Sequence, residues 1–197
     1  MIDSSSSDAP GAATRARTVF RWNNQAMTDW YTITYGEPCR ECAYSFTISQ
    51  RDALGLLVDL PRDYDAALEG ATGSEQHPDL SWSVTAYVAH VADNLRIWSE
   101  RLIGVAAGAG LGIAAYDENE LAAARSYDKI PLSAARWSLG RSVLDIQEAA
   151  KVSAPTGPVL DHPERGELTR TDVMCANAHD AVHHLWDIRR TLERVSH

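Results

Sequence analysis

The sequence predicts an all-α protein, a four-helix bundle with a short N-terminal extended or hairpin flap. Three observations carry that expectation. Four long stretches place apolar residues three and four apart, breaker-rich segments divide them, and four of the seven histidines fall within two of those stretches. Imidazoles gathered on two helices are what a metal site inside a helix bundle looks like from sequence.

Residues 1–16 are mostly Ser, Ala, Gly and Asp with little to bury, so ordering entropy would go unrepaid and a disordered arm is expected. Over 17–47, Trp22, Trp30, Tyr31, Ile33, Tyr35, Tyr44 and Phe46 are spaced around Gly36-Glu37-Pro38 with a two-residue alternation, which predicts an extended accessory flap. The bundle is expected over 48–197. Ser49 can cap a first helix through Leu54, Leu56, Leu57 and Leu60, and Pro61 either restarts or kinks it before Tyr64, Ala67 and Leu68. Ser81 is placed to cap a second helix. Its Val84, Val88, Val91, Leu95, Trp98 and Leu102 form a seam that ends in the glycine-rich stretch 104–112. A connection over 113–129 leads to Pro131, in the first turn of a third helix with Trp137, Leu139, Val143, Leu144 and Ile146 as its apolar residues. Breakers at 154–158 and 161–166 precede a last helix capped by Thr169 or Thr171, whose seam is Ala178, Ala181, Leu185, Ile188 and Leu192.

A length of 197 residues suits one domain, and a net charge of −9 argues against nucleic acid, which needs clustered Lys and Arg. No apolar run approaches the roughly 20 residues of a membrane span, and the first residues lack the basic and apolar regions of a signal peptide. A cytoplasmic protein acting on a small molecule, without nucleic-acid or membrane partners, is therefore expected. Cys39, Cys42 and Cys175 make an odd count, which disfavours a disulfide framework. Cys39-Arg40-Glu41-Cys42 has the spacing of half a zinc knuckle, but no second Cys/His pair follows nearby in the chain, so reduced thiols are the plainer reading.

Two stretches aim imidazoles and carboxylates toward one point, one with His90 and Asp93, the other with His179, Asp180, His183, His184 and Asp187. A lone helical histidine is most often structural, but Tyr87, His90, Asn94 and Ile97 form a stripe beside the apolar seam that turns His90 into the bundle. Burying such a cluster is costly unless its members are paired or bound to a cation. The last helix offers two ligand registers. His179 and His183 stand four apart with Cys175 on their face; Asp180 and His184 stand four apart on the other flank, with Asp187 three further on. Either pair can chelate, and spacing alone leaves both open, with His90 expected to complete the set in each. His183 and His184, about 100° apart on the helix, cannot share one ion. Asp187 can accept a ring N–H from a neighbouring histidine, or pair with Arg190 or Arg194 as a surface charge. Cys175 reads as a small buried residue, and His77, His162 and His197 as surface residues.

The pairing of Trp82-Ser83 with His90 and Arg101, followed in the last helix by Asp-x-x-x-His-x-x-Asp, resembles the DinB/YfiT-like superfamily, which includes mycothiol-dependent maleylpyruvate isomerases and related thiol S-transferases. In helix order the resemblance covers 49–197; its specific motifs are confined to two helices. It implies the DinB-like bundle topology and a divalent metal held by His90, Asp180 and His184, with Asp187 as the catalytic residue beside them. It also implies a transferase or isomerase that uses a low-molecular-weight thiol such as mycothiol. Asp180 departs from the pattern, being shorter than the Glu of the isomerases and less basic than the His of other members. A metal-assisted hydrolase and a non-catalytic metal- or ligand-binding protein are the alternatives on the same fold. Two imidazoles and a carboxylate suit zinc, nickel, iron(II) or manganese, and three protein ligands leave the open positions of a catalytic site. Bundles of this kind often pair, so a homodimer is expected.

Overall fold

The structure is a computed structural model that describes residues 25–195. The expected arm at 1–16 and the start of the flap, through residue 24, lie outside the described residues. In chain order the elements are α1 (Gln25–Tyr35), α2 (Gln50–Ala67), α3 (Val84–Ala106), α4 (Glu118–Arg125), α5 (Leu132–Val152), β1 (Pro158–His162), β2 (Gly166–Thr169) and α6 (Arg170–Val195).

The four long helices are α2, α3, α5 and α6, and they form the expected four-helix bundle. Packing joins α3 to α5, α5 to α2, α2 to α6, and α6 to α3. The order around the bundle is therefore α2, α5, α3, α6. The successive pairs α2/α3 and α5/α6 lie across diagonals, which explains why their connections are long. Leu57, Leu60, Tyr64, Val88, Val91, Leu95, Leu102, Leu139, Val143, Ile146, Leu185 and Ile188 fill the centre. Trp137 and Leu144, read from sequence as part of the third seam, instead face outward at 72% and 52% exposure. Their positions fall on the flank of α5 that neither α2 nor α3 covers.

Ser49 caps α2 as expected, its hydroxyl accepting from the Asp52 N–H. The helix continues through Pro61 instead of restarting there. Leu57, Leu60 and Tyr64 are buried on either side of the proline, and the Tyr64 hydroxyl donates to the Ala181 carbonyl of α6 at 2.8 Å, so both halves stay on one partner. The cap of α3 is Ser83, two residues later than the expected Ser81. The preceding loop decides this: Glu75 accepts from the backbone of Thr72 and Gly73, and the Gly73 carbonyl takes the Thr85 N–H. Gly73 has φ +93 and lies so close to Thr85 that any Cβ there would collide with it.

Three elements depart from the sequence reading. The expected extended flap is helical over Gln25–Tyr35, followed by an irregular turn over 36–48. Tyr31 stacks on Phe46 at 4.5 Å, and the Tyr44 hydroxyl donates to the Cys175 carbonyl of α6 at 2.9 Å, so this segment lies on the outer face of α6. The connection over 113–129 contains α4, capped by Asp117. The breaker segment before α6 forms the antiparallel hairpin β1–β2, with Leu160 opposite Leu168. That hairpin is clamped by the loop after α3 through Asp161 N–H to Leu111 O and Ile113 N–H to Asp161 O. Among the described residues, no helix is long and apolar enough to cross a membrane.

Candidate metal centre

Because α3 and α6 are neighbours, His90 on the first meets Asp180 and His184 on the second. His90 Nε2 lies 3.5 Å from Asp180 Oδ1, and His184 Nε2 lies 3.6 Å from the same oxygen. One ligand atom from each of the three falls within 4.8 Å of the other two. Those separations are long for hydrogen bonds. They are close to the roughly 3.3–3.4 Å between ligands arranged tetrahedrally around an ion at about 2.0–2.1 Å. The donor set thus fits a divalent cation.

Charge is arranged to match. Burial opposes ionisation of Asp180, but the imidazoles of His90 and His184 outweigh it and hold the carboxyl far below its usual range. Burial likewise resists a charge on His90, and Asp180 beside it wins, lifting that imidazole above its ordinary value. The second oxygen of Asp180 is fixed by Asn94, whose amide donates to it at 3.0 Å while its own carbonyl accepts from Tyr116 at 2.6 Å. His184 is oriented from behind: its Nδ1 lies 3.0 Å from Asp187, which is buried and also accepts from Arg190 at 2.9 Å. With the Nδ1–H donating to the Asp187 carboxylate, the Nε2 lone pair faces Asp180. Burial would raise the Asp187 carboxyl, and the hydrogen bond from His184 with the nearby charges brings it below its ordinary value instead. The indole of Trp82 lies 4.9 Å from the His90 ring and the phenol of Tyr87 lies 5.0 Å from the His184 ring, closing one side.

The opposite side is open to a cavity of about 300 Å³ lined also by Tyr31, Tyr35, Trp98, Arg101, Tyr116, His162 and Arg165. Arg101 lies over Trp98 and donates Nη2 to the Ala114 carbonyl, while its Nη1 is buried without a hydrogen-bond partner. Arg165, from the β1–β2 turn, lies over Trp30 and donates to the Tyr31 hydroxyl, and its Nε is equally unpartnered. Neither guanidinium forms an ion pair with a carboxylate among the described residues.

Several sequence expectations are corrected here. The two registers of α6 are not rivals for His90. Asp180 and His184 face it, whereas His179 and His183 face Cys39 and Cys42, which the turn after α1 brings to the other flank of the helix. The missing Cys/His partner of the Cys-x-x-Cys pair is thus supplied from the far end of the chain. Asp93 does not join the cluster; it is buried among Tyr127, Arg125 and Arg96 on the other side of α3. His162 is buried, not a surface residue, because β1 packs it beside Trp98. Cys175 is a small buried residue, as expected, its Sγ directed at the Ile48 carbonyl. Tyr116 and Arg165 were not foreseen, since single residues in loops carry no spacing signal. Asn94, which the sequence places on the stripe of His90, reaches Asp180 from one turn further along α3.

Fold and site together define a four-helix bundle with a His–Asp–His cluster at the base of an open cavity. Among solved structures the chain is similar to one described as "YfiT from Bacillus subtilis is a probable metal-dependent hydrolase with an unusual four-helix bundle topology". The two are 17% identical with a TM-score of 0.66, over 76% of this chain and 91% of that one. At that identity the likeness carries the fold, which is the one the DinB/YfiT-like resemblance implies. No family model and no curated protein matches the sequence.

Proposed function

We propose that this protein is a divalent-metal-dependent enzyme of small molecules in the DinB/YfiT-like superfamily, with His90, Asp180 and His184 as ligands. The preferred reaction is a transfer or isomerisation that uses a low-molecular-weight thiol such as mycothiol. The observation that carries the reading is the convergence of two imidazole nitrogens on one oxygen of Asp180 beside an open cavity. A bound divalent metal would supply a Lewis acid able to lower the pKa of a thiol or a water.

The chain's own residues do the rest. Asp187 keeps His184 in one tautomer and is a positioning residue rather than a catalytic one; Asn94 and Tyr116 hold Asp180 in place. Trp82 and Tyr87 keep water from the inner side. Arg101 and Arg165 line the cavity without an ion-pair partner among the described residues, a setting for a carboxylate or another anionic group on the substrate. The size of the cavity suits a small molecule. Metal-assisted hydrolysis is the second reading, favoured by the description of the YfiT structure as a probable metal-dependent hydrolase.

The test is metal content and turnover of the untagged chain. His90→Ala and His184→Ala are each expected to lose about one equivalent of metal relative to the unaltered protein. Turnover of a small anionic electrophile should require mycothiol, bacillithiol or glutathione. Turnover without thiol selects hydrolysis, and full metal content in both variants overturns the centre altogether.

A further inference from the structure

The flank of α6 next to the one that faces His90 carries a second constellation with a different character. We propose that Cys39, Cys42, His179 and His183 bind a second metal ion, zinc by preference, in a closed four-ligand site that pins the turn after α1 to the last helix. One ligand atom from each of these four residues lies within 4.8 Å of the other three. Cys39 Sγ is 3.8 Å from His183 Nδ1, near the roughly 3.6 Å that separates a sulfur and a nitrogen at about 2.3 and 2.0–2.1 Å from a tetrahedral zinc.

Three independent features point to a ligand. His179 is buried, and its Nε2 has no hydrogen-bond partner, a costly arrangement for an imidazole enclosed by the rings of Tyr35, Tyr44 and Phe46 at 4.7, 5.4 and 4.6 Å. The two cysteines are free thiols held together by a built turn: the Cys39 N–H donates to the Tyr44 carbonyl and the Ala43 N–H to the Cys39 carbonyl, at 2.8 and 3.0 Å. That turn requires Ala43 at φ +59, a left-handed conformation that is costly for a non-glycine residue. Strain of that kind persists where the surroundings fix it, commonly at ligand sites.

The donor chemistry matches the surroundings. Binding a divalent cation displaces the two thiol protons, and two thiolates with two neutral imidazoles then cancel its charge. A neutral centre can be enclosed by aromatic rings without the penalty of a buried net charge. With four protein ligands no position remains for substrate, so this site is structural where the His–Asp–His site is open. The site borders the cavity itself, because His179 and His183 line it together with Tyr31 and Tyr35 of the α1 segment that the ion would hold down.

The experiment uses the full-length untagged chain, reduced, loaded with Zn²⁺ and desalted. Elemental analysis should give about two equivalents of zinc in the unaltered protein, about one in Cys39→Ser/Cys42→Ser, and about one in His90→Ala. An unchanged zinc content in the double cysteine variant overturns the proposal. Loading with Co²⁺ gives a readout that does not depend on that variant folding: a thiolate-to-cobalt charge-transfer band should appear in the unaltered protein, persist in His90→Ala and in Cys175→Ser, and vanish in Cys42→Ser. No such band in the unaltered protein overturns it equally. Because His90→Ala removes only the open site, loss of one site is read separately from loss of the other.

Discussion

At the scale of residues, neighbouring side chains give three histidines on or beside one helix, His90, His179 and His183, protonation behaviour that differs in sign. In the metal-free fold, burial and the nearby His183 hold His179 neutral down to about pH 4, while burial and His184 also lower His183. An unfolded chain takes up these protons near pH 6.5. Protonation therefore favours unfolding: the stability these two groups contribute is complete above pH 6.5 and is lost as the pH falls toward the lowered value of each, about 4 for His179, by at most about 1.4 kcal/mol per pH unit for each. His90 has the opposite sign, because Asp180 raises it; its contribution is complete below pH 6.5 and fades above. Chelator-treated protein should accordingly lose thermal stability between pH 6.5 and 4.5, with a shallower slope in His179→Gln. Melting temperatures with equal slopes for the two proteins would show that His179 is not held neutral. The spacing of Asp180, His184 and Asp187 was legible in sequence because it is local to one helix. The junction of Cys39 with His183, 144 residues away, was not, since nothing in a linear pattern places one flank of α6 against a turn near the N-terminus.

At the scale of elements, the sequence announced those that bury an apolar stripe and hid those defined by tertiary partners. The seams of α2, α3 and α6 read correctly because each meets the core over many turns, except that Leu56 of α2 faces outward beside the buried Leu57. In α1, Tyr31 and Tyr35 fit both a two-residue and a four-residue period, and Ile33 between them is 80% exposed, so the extended reading was a choice between two patterns that coincide. The contacts with Phe46 and His179 decide for helix. In α4 only Ala122 is buried, too little for periodicity to show. The start of α6 was legible, and its chemistry is specific: Thr169 Oγ1 accepts from the Asp172 N–H, while the Asp172 carboxylate accepts from both the Thr169 N–H and its hydroxyl. This reciprocal cap fixes the first turn of the helix that carries both clusters. Thr169→Ala should cost about 0.5–2 kcal/mol, seen as a lower denaturant midpoint with an unchanged slope. The cap lies more than two turns before His179, so metal content should stay at the level of the unaltered protein. A loss of metal equal to that of a ligand variant would contradict the separation of cap from site.

At the scale of the whole molecule, the order α2, α5, α3, α6 makes α6 the element on which both candidate ions would converge. The first ion would join α6 to α3 through His90, and the second would join it to the N-terminal turn through Cys39 and Cys42. The ligands of each set come from distant parts of the chain, so the assembled sites exist only in the fold, and binding adds stability by mass action. An ion at 100 times its dissociation constant contributes about 2.7 kcal/mol. For a domain of this size each kcal/mol moves the melting temperature by about 2–4 °C. Saturating chelator-stripped protein with Zn²⁺ should then raise it by roughly 5–10 °C for each occupied site. His183 and His184 stand side by side, with ring centres 5.6 Å apart, and two dications so close would ordinarily repel. Charge cancellation by the two cysteine thiolates removes most of that repulsion, so the two contributions should be nearly additive. His90→Ala/His184→Ala should keep the share of the cysteine site, Cys39→Ser/Cys42→Ser the share of the open site, and the four-fold variant should not respond to Zn²⁺. Calorimetry of the four proteins with and without Zn²⁺ checks this. An unchanged melting temperature for the unaltered chain would sink both sites, and a zinc response in the four-fold variant as large as that of the unaltered chain would place the ion elsewhere.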